Sequence, residues 1–139
     1  MDTVYVETSI VSHASAWPSS DTQTAAIQHQ ARQWWSTKRS SFELVTSQLV
    51  IDEASAGDPV AAAERLKLLD GVPTVAIDDE VRALAREIVS AALMPHKAAA
   101  DALHVAAAAV AGIQYLLTLN CRHIANAHEL PQGQRTLSP

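Results

Sequence analysis

Short β-rich segments alternate with helical segments along the whole chain, and this alternation limits most strongly the folds open to it. Strands that are separated by helices pair in parallel, and a parallel sheet needs helices on both of its faces. The first such strand lies near Thr3 and the last near Tyr115. We therefore predict an α/β protein, a three-layer α/β/α arrangement around a central parallel sheet of four to five strands.

Local signals set the predicted boundaries of these elements. Asp21 and Ser47 are residue types that cap helices, Pro59 suits a first helical turn, and Gly57 suits a helix end. The predicted strands are Thr3–Ile10, Glu43–Thr46, Val72–Ile77 and Tyr115–Thr118, and the predicted helices run over Asp21–Arg39, Ser47 to Ala56, Pro59 to about Asp70, Asp78 to about Leu93, Ala98–Ala111 and from near Arg122. We expect a single domain over 1–139, with a loosely ordered tail after about residue 130.

Composition excludes several classes of protein. A chain of 139 residues fits one domain, and its 48% hydrophobic content is too high for a disordered acidic tail. The most alanine-rich stretch is interrupted by Asp101 and His104, so no membrane span is expected. The N-terminus has no basic region of the signal-peptide kind, and the lone Cys121 excludes an internal disulfide. These features predict a cytoplasmic protein.

The charge balance limits which partners are expected. Ten Lys and Arg stand against 15 Asp and Glu, a net charge of -5, which disfavours broad nonspecific binding to nucleic acid. With only 4 glycines the chain also lacks a Gly-rich phosphate loop. Contact with a nucleic acid would therefore depend on local basic residues such as Arg32, Lys38, Arg39 and Arg122.

Two adjacent tryptophans, Trp34 and Trp35, lie among those basic residues. Their rings could stack on nucleobases or receive a partner helix. Adjacent residues cannot share one helix face, so we expect at least one of the two rings to pack in the core.

Three acids are singled out by their positions in the predicted elements. Glu7 follows the first strand, Glu53 lies in an otherwise apolar helical turn, and Asp101 lies in the first turn of an alanine-rich helix. In a parallel sheet the strand ends collect at one edge, where ligands bind. Taken singly, each acid is equally explained as a solvated charge, and Asp52 points about 100° away from Glu53 around the helix. A cluster of carboxylates would need a cation, and oxygen ligands select Mg²⁺ or Mn²⁺.

Four motifs in chain order resemble the PIN-domain family, the metal-dependent ribonuclease fold of VapC-type toxins. They are Tyr5-Val6-Glu7-Thr8-Ser9, Ser47 followed by Glu53, Ala100-Asp101-Ala102-Leu103-His104, and Leu117-Thr118-Leu119-Asn120-Cys121-Arg122-His123. Glu7 replaces the family's usual Asp, and Asn120 stands where a fourth acid is common. A neutral Asn120 would weaken a second metal site, which favours one firmly held ion.

The resemblance implies hydrolysis of RNA phosphodiester bonds by a Mg²⁺ or Mn²⁺ ion held by the carboxylates. Those ligands would be Glu7, Glu53 and Asp101, which are the catalytic residues of this interpretation. The auxiliary residues would be Thr8, Ser9, Thr118, Asn120 and Arg122. The resemblance further implies an antitoxin protein as partner, since the chain would be the toxin of a type II toxin–antitoxin pair, and it implies a homodimer.

Two other interpretations stay open at the level of sequence. A PIN-like module weakened or inactivated at Asn120 would bind RNA or an antitoxin without cleaving. A purely structural α/β domain would leave Glu7, Glu53 and Asp101 far apart in space. His104, one turn after Asp101, is either a hydrogen-bonded packing residue or a residue facing the site.

Overall fold

The protein is described by a computed structural model over residues 1–91, 99–119 and 135–137. Its elements, in chain order, are β1 Thr3–Val6, α1 Thr8–Ser15, α2 Thr22–Thr37, a 3₁₀ turn Arg39–Ser41, β2 Glu43–Ser47, α3 Gln48–Ala54, α4 Pro59–Leu69, β3 Thr74–Val75, α5 Asp79–Ser90, α6 Ala99–Val110, β4 Tyr115–Leu117 and β5 Arg135–Leu137. Asn120, Cys121, Arg122 and the helix expected near Arg122 lie outside the described residues.

The strands form one five-stranded sheet in the order β3-β2-β1-β4-β5, and every pairing is parallel. Helices α1 to α4 pack among themselves, as do α5 and α6, in a three-layer α/β/α arrangement. The predicted fold class is therefore confirmed. The strand order reverses between β1 and β4, and such a reversal is where ligands bind in open α/β sheets.

The core lies on the central strands and the helices that cover them. Val4, Tyr5 and Val6 of β1 are all fully buried, which is the continuous apolar pattern expected of a strand covered on both faces. Half of the residues of α6 are buried as well, because its alanines allow a close approach to its neighbours. Among the described residues, no helix combines the length and apolar character needed to span a membrane.

Most predicted helix boundaries agree with the structure within a few residues. Asp21 caps α2 by accepting the backbone N–H of Thr24, and Ser47 caps α3 by accepting that of Val50. Gly57 has φ of 83°, the left-handed conformation that glycine adopts without steric cost at a helix end. Capping chemistry is local, so the sequence reveals it directly.

The first strand is shorter than predicted, and a helix follows it that the sequence did not reveal. We expected a strand over Thr3–Ile10, but β1 ends at Val6 and α1 begins at Thr8. The Glu7 carboxylate accepts the backbone N–H of Ser9 at 3.1 Å and caps α1. This bond turns the chain into a helix immediately after β1 and places Glu7 between the two elements.

One further expectation differs from the structure, at an edge of the sheet. The strand expected over Val72–Ile77 is reduced to Thr74–Val75, since Pro73 has no N–H to donate and contributes only its carbonyl oxygen, to Thr46 N. At the other edge, Arg135–Leu137 forms β5, which pairs in parallel with β4, and the rest of the tail after residue 130 lies outside the described residues. That pairing satisfies backbone groups that β4 would otherwise leave at an open edge.

Both tryptophans of the Trp34-Trp35 pair are buried, at 6% and 8% exposure. Trp34 stacks on Phe42 with ring centroids 6.0 Å apart, and the Arg39 guanidinium lies 4.5 Å from the centre of the Trp35 ring. We expected at least one of these rings in the core, and both are there, so neither presents a free face for stacking on RNA.

Candidate functional site

The candidate site lies where β1 and β4 end side by side. The backbone N–H of Glu7 donates to the Leu117 carbonyl at 3.1 Å, so the residues that follow the two strands are held together. Glu7 follows β1 directly and Thr118 follows β4 directly. This is the point of strand reversal, so the topology itself places Glu7 at the edge where ligands bind.

Glu7 is a buried carboxylate held by several donors. Its side chain belongs to a residue only 5% exposed, and its Oε1 accepts the Thr118 hydroxyl at 2.6 Å and the Ser9 hydroxyl. The Ser9 hydroxyl oxygen in turn accepts the backbone N–H of Leu119 at 2.9 Å. Thr118 and Ser9 therefore tie the loop after β4 to the start of α1 and orient the Glu7 carboxylate.

Glu53 comes to the same place from α3. Its Oε1 accepts the Thr8 hydroxyl and lies 2.9 Å from His104 Nε2. Burial raises the pKa of Glu53, but the hydrogen bonds from His104 and Thr8 lower it, and the pKa lies below its ordinary value of 4.5. Asp52 is exposed and bonded to Gln48, as its position about 100° around the helix from Glu53 predicted.

The sequence left the role of His104 open, and the structure shows that this residue both packs and faces the site. It is 1% exposed, and its Nδ1 lies 2.7 Å from the Tyr5 hydroxyl while its Nε2 meets Glu53. One ligand-capable atom from each of Glu7, Glu53 and His104 lies within 4.8 Å of the other two. Among the described residues, this is the group of acids and histidine whose spacing suits a metal ion.

Tyr5 and Ser47 complete the polar centre, and sequence analysis did not single out either of them for the site. The Tyr5 hydroxyl lies 2.7 Å from Ser47 Oγ, and both residues are fully buried. Burial raises the pKa of Tyr5 well above its ordinary value of 10.0, and the charges of Glu7 and Glu53 raise it further, against a hydrogen bond from Ser47 that lowers it. Tyr5 is therefore neutral at ordinary pH and available as a hydrogen-bond donor.

Asp101 occupies the first turn of α6, as predicted, and is partly buried with interactions of its own. It lies three residues before His104, so the two side chains are neighbours along one side of the helix. The close group of Glu7, Glu53 and His104 does not include it. The structure thus brings two of the three predicted acids together, whereas the third lies one turn before His104 on α6.

The residues present suit a divalent cation. Glu7 and Glu53 supply hard oxygen atoms, which Mg²⁺ and Mn²⁺ prefer. Two neighbouring carboxylates repel each other, and within the described ranges no Lys or Arg forms an ion pair with either of them. A cation bound between them would remove that repulsion.

Fold and site together define an α/β/α domain with an acidic centre at the strand reversal of its sheet. A PIN-domain family model matches residues 4–129, so the chain belongs to the PIN-domain family. The family expected from the sequence is therefore confirmed. No curated protein sequence is similar enough to count as a match.

Solved structures of VapC toxins and VapBC toxin–antitoxin systems share the fold. VapC20 of Mycobacterium tuberculosis, described as a toxin that cleaves the sarcin–ricin loop, superposes with a TM-score of 0.63 at 19% identity, covering 88% of this chain and 93% of that one. VapBC-5 of the same organism has a TM-score of 0.60 at 13% identity, with both chains fully covered. VapBC2 of Rickettsia felis, bound to a promoter DNA fragment, has a TM-score of 0.61 at 12% identity, covering 99% of this chain and 98% of that one.

Proposed function

We propose that this protein is a Mg²⁺- or Mn²⁺-dependent endoribonuclease that hydrolyses RNA phosphodiester bonds. The observation that carries the proposal is the convergence of Glu7 and Glu53 at the strand reversal of a PIN-domain sheet. PIN domains are nucleases, and this convergence argues against a purely structural domain whose acids lie far apart. Asp101, one turn before His104, stays a proposed third ligand.

Glu7, Glu53 and Asp101 would hold the cation in this proposal. When bound, a divalent cation would lower the pKa of a coordinated water and neutralise charge on phosphate oxygens. The protein's own part is to keep the Glu53 carboxylate ionised, which the hydrogen bonds from Thr8 and His104 favour. Thr118 and Ser9 fix the orientation of Glu7 before any substrate arrives, so little reorganisation is needed at the site.

Arg122 and Asn120 follow β4 in the sequence and lie outside the described residues. Arg122 is proposed to grip a phosphate of the RNA, and Asn120 to lend a neutral oxygen near the site. Thr8, whose hydroxyl bonds Glu53, and Ser9 and Thr118, whose hydroxyls bond Glu7, keep the auxiliary roles proposed for them.

We further propose that the chain is the toxin of a toxin–antitoxin pair acting in the cytoplasm, where an antitoxin protein would restrain it. The support is the shared fold with the structures of VapBC-5 and of VapBC2. A homodimer remains part of this proposal. Size-exclusion chromatography with light scattering, on the protein alone and with the product of an adjoining gene, measures both assemblies.

The nuclease is tested with purified protein and both structured and single-stranded RNA, in Mg²⁺ or Mn²⁺ and in EDTA. Cleavage is expected only with the metal, and Glu7→Gln, Glu53→Gln and Asp101→Asn are each expected to reduce it by at least ~100-fold. Asp52→Asn is the matched control, because Asp52 neighbours Glu53 but is exposed and faces away. Cleavage that survives EDTA or Asp101→Asn contradicts the mechanism.

The alternative of a non-cleaving module is decided by the same experiment together with Asn120→Asp. The site would be a weakened one if the wild-type protein binds RNA or an antitoxin without cleaving RNA and the Asn120→Asp variant gains activity. An unchanged Asn120→Asp variant would mean that position 120 does not belong to the site.

A further inference from the structure

We propose that Tyr5 and His104 are positioning residues that hold Glu53 with one carboxylate oxygen turned toward the metal, and that His104 is not itself a ligand. This inference rests on the proposed function and deepens it. It concerns which atoms of the close group of Glu7, Glu53 and His104 remain free to bind a cation.

The imidazole of His104 is fixed from two sides. Its Nδ1 is 2.7 Å from the Tyr5 hydroxyl, and the two rings meet edge to face with centroids 5.7 Å apart. The Tyr5 hydroxyl in turn lies 2.7 Å from Ser47 Oγ, and Tyr5, Ser47 and His104 are each at most 1% exposed. A ring packed and bonded in this way cannot rotate without disrupting the core.

The protons of this centre can be assigned from its partners. The Glu53 carboxylate only accepts, so the proton between it and His104 lies on Nε2. In the neutral ring Nδ1 then accepts from the Tyr5 hydroxyl, and Tyr5 accepts from Ser47, whose oxygen also accepts Val50 N–H at 3.3 Å. Every donor in the series Val50, Ser47, Tyr5, His104 then has an acceptor, and the series ends on Glu53.

In this arrangement the two carboxylate oxygens of Glu53 have different partners. Oε1 receives both the His104 Nε2 proton and the Thr8 hydroxyl, whereas no described residue donates to Oε2. Oε2 is therefore the oxygen left for a cation. Because Nε2 carries a proton and Nδ1 accepts from Tyr5, the ring has no lone pair to offer, and the site presents oxygen ligands alone.

An oxygen-only site has a consequence for metal choice. Imidazole nitrogen suits Zn²⁺ and other transition metals, whereas carboxylate oxygen suits Mg²⁺ and Mn²⁺. Tyr5 and Glu53 hydrogen-bond both nitrogens of His104, so no imidazole nitrogen is free to bind a metal. The site therefore favours Mg²⁺ and Mn²⁺ over Zn²⁺. The buried His104 thus orients the ligand Glu53 and does not itself bind the metal.

The test is Mn²⁺ affinity of the full chain, measured by electron paramagnetic resonance of free Mn²⁺. Tyr5→Phe and His104→Ala are expected to weaken binding ~10-fold or more, the effect typical of losing a residue that orients a metal ligand. His104→Gln carries an amide donor near the position of Nε2 and is expected to restore most of the affinity. Tyr115→Phe, at the second tyrosine of the chain, is the matched control and is expected to bind as wild type does.

Each outcome has a defined meaning. A wild-type chain that binds no Mn²⁺ overturns the proposed function, and the positioning role falls with it. Wild-type binding that is unchanged by Tyr5→Phe and His104→Ala overturns the positioning role alone. His104→Gln binding as weakly as His104→Ala would make His104 a ligand and would contradict the assignment.

A second measurement reads the ring protonation in the wild-type protein and needs no variant to bind metal. A long-range ¹H–¹⁵N spectrum of the wild-type protein reports which histidine nitrogen carries a proton, and the signal missing in His104→Gln identifies the ring. We expect a proton on Nε2 of His104. A ring protonated on Nδ1 alone would overturn the inference, since Nε2 would then have nothing to donate to Glu53.

Discussion

At the scale of single residues, the centre of this protein is a set of donors arranged around two carboxylates. Thr8 and His104 donate hydrogen bonds to Glu53, and the hydroxyls of Ser9 and Thr118 donate to Glu7. Hydrogen bonds to an ionised carboxylate stabilise it against the cost of burial. The Glu53 carboxylate can therefore stay charged in a partly desolvated place, which is what a metal ligand requires.

Thr8→Val is expected to raise the pKa of Glu53 relative to wild type, because it removes a hydrogen bond that favours the ionised form. Thr8→Ser keeps the hydroxyl and is expected to leave the pKa nearly unchanged. A ¹³C NMR titration of the carboxyl carbon of Glu53 measures both. Equal values in all three proteins would show that Thr8 does not influence this carboxylate.

Trp34→Ala is expected to destabilise the protein by about 3–5 kcal/mol, because it empties a buried site in contact with Phe42. Trp17→Ala is the matched control: Trp17 is 90% exposed, so its loss should change the free energy of unfolding by no more than about 0.5 kcal/mol. Urea unfolding compares the two. A stable Trp34→Ala variant that had lost RNA binding would instead restore the base-stacking interpretation.

At the scale of elements, three residues of the polar centre lie at or near the start of a helix. Glu7 caps α1, Ser47 caps α3 and anchors Tyr5, and His104 lies one turn after the first turn of α6. In a parallel sheet the helices begin where strands end, so the residues near those helix starts collect at one edge. Capping residues can therefore also serve the site.

The cap of α2 gives a pH dependence that can be measured. Bonds from the backbone N–H and hydroxyl of Thr24 lower the pKa of Asp21 below its ordinary value of 3.8. The native state then binds fewer protons than the unfolded state, so this contribution is present above the unfolded pKa and is lost as pH falls through the folded one.

Asp21→Asn keeps a capping side chain that does not titrate. The stability of wild type relative to Asp21→Asn is expected to be constant above about pH 5 and to fall below about pH 4. Urea unfolding of both proteins over that range gives the difference directly. A difference that did not vary with pH would contradict the role of the ionised cap.

At the scale of the whole molecule, the proposed metal would connect parts of the chain that are distant in sequence. Glu7 lies at the end of β1, and Glu53 belongs to α3. A cation held by both would bind the folded state and not the unfolded one, and would stabilise the fold by mass action.

Mn²⁺ at 100 times its dissociation constant is expected to stabilise the wild-type protein by about 2.7 kcal/mol. Glu7→Gln and Glu53→Gln are expected to lose this gain, while Asp52→Asn, at an exposed neighbouring position, is expected to keep it. Thermal unfolding with Mn²⁺ and with EDTA measures the difference. An equal gain in all four proteins would place the bound metal elsewhere.

The sequence by itself determined the alternation of strands and helices, most of the caps and the acids Glu7 and Glu53 as site candidates. These features follow from local chemistry: β-propensity, side-chain capping and the burial pattern of a strand. It missed α1, because Thr8 and Ser9 suit a strand as well as a helix, and Glu is not among the residue types that usually cap helices.

Only the tertiary structure decided which side chains meet. Tyr5 reaches Ser47 across 42 positions and His104 across 99, and no local pattern connects residues so far apart. The same packing turned His104 toward Glu53, whereas Asp101 is not part of the close group. Helical spacing tells which residues share a side of α6, but the way α6 packs on the sheet decides which of them reaches Glu53.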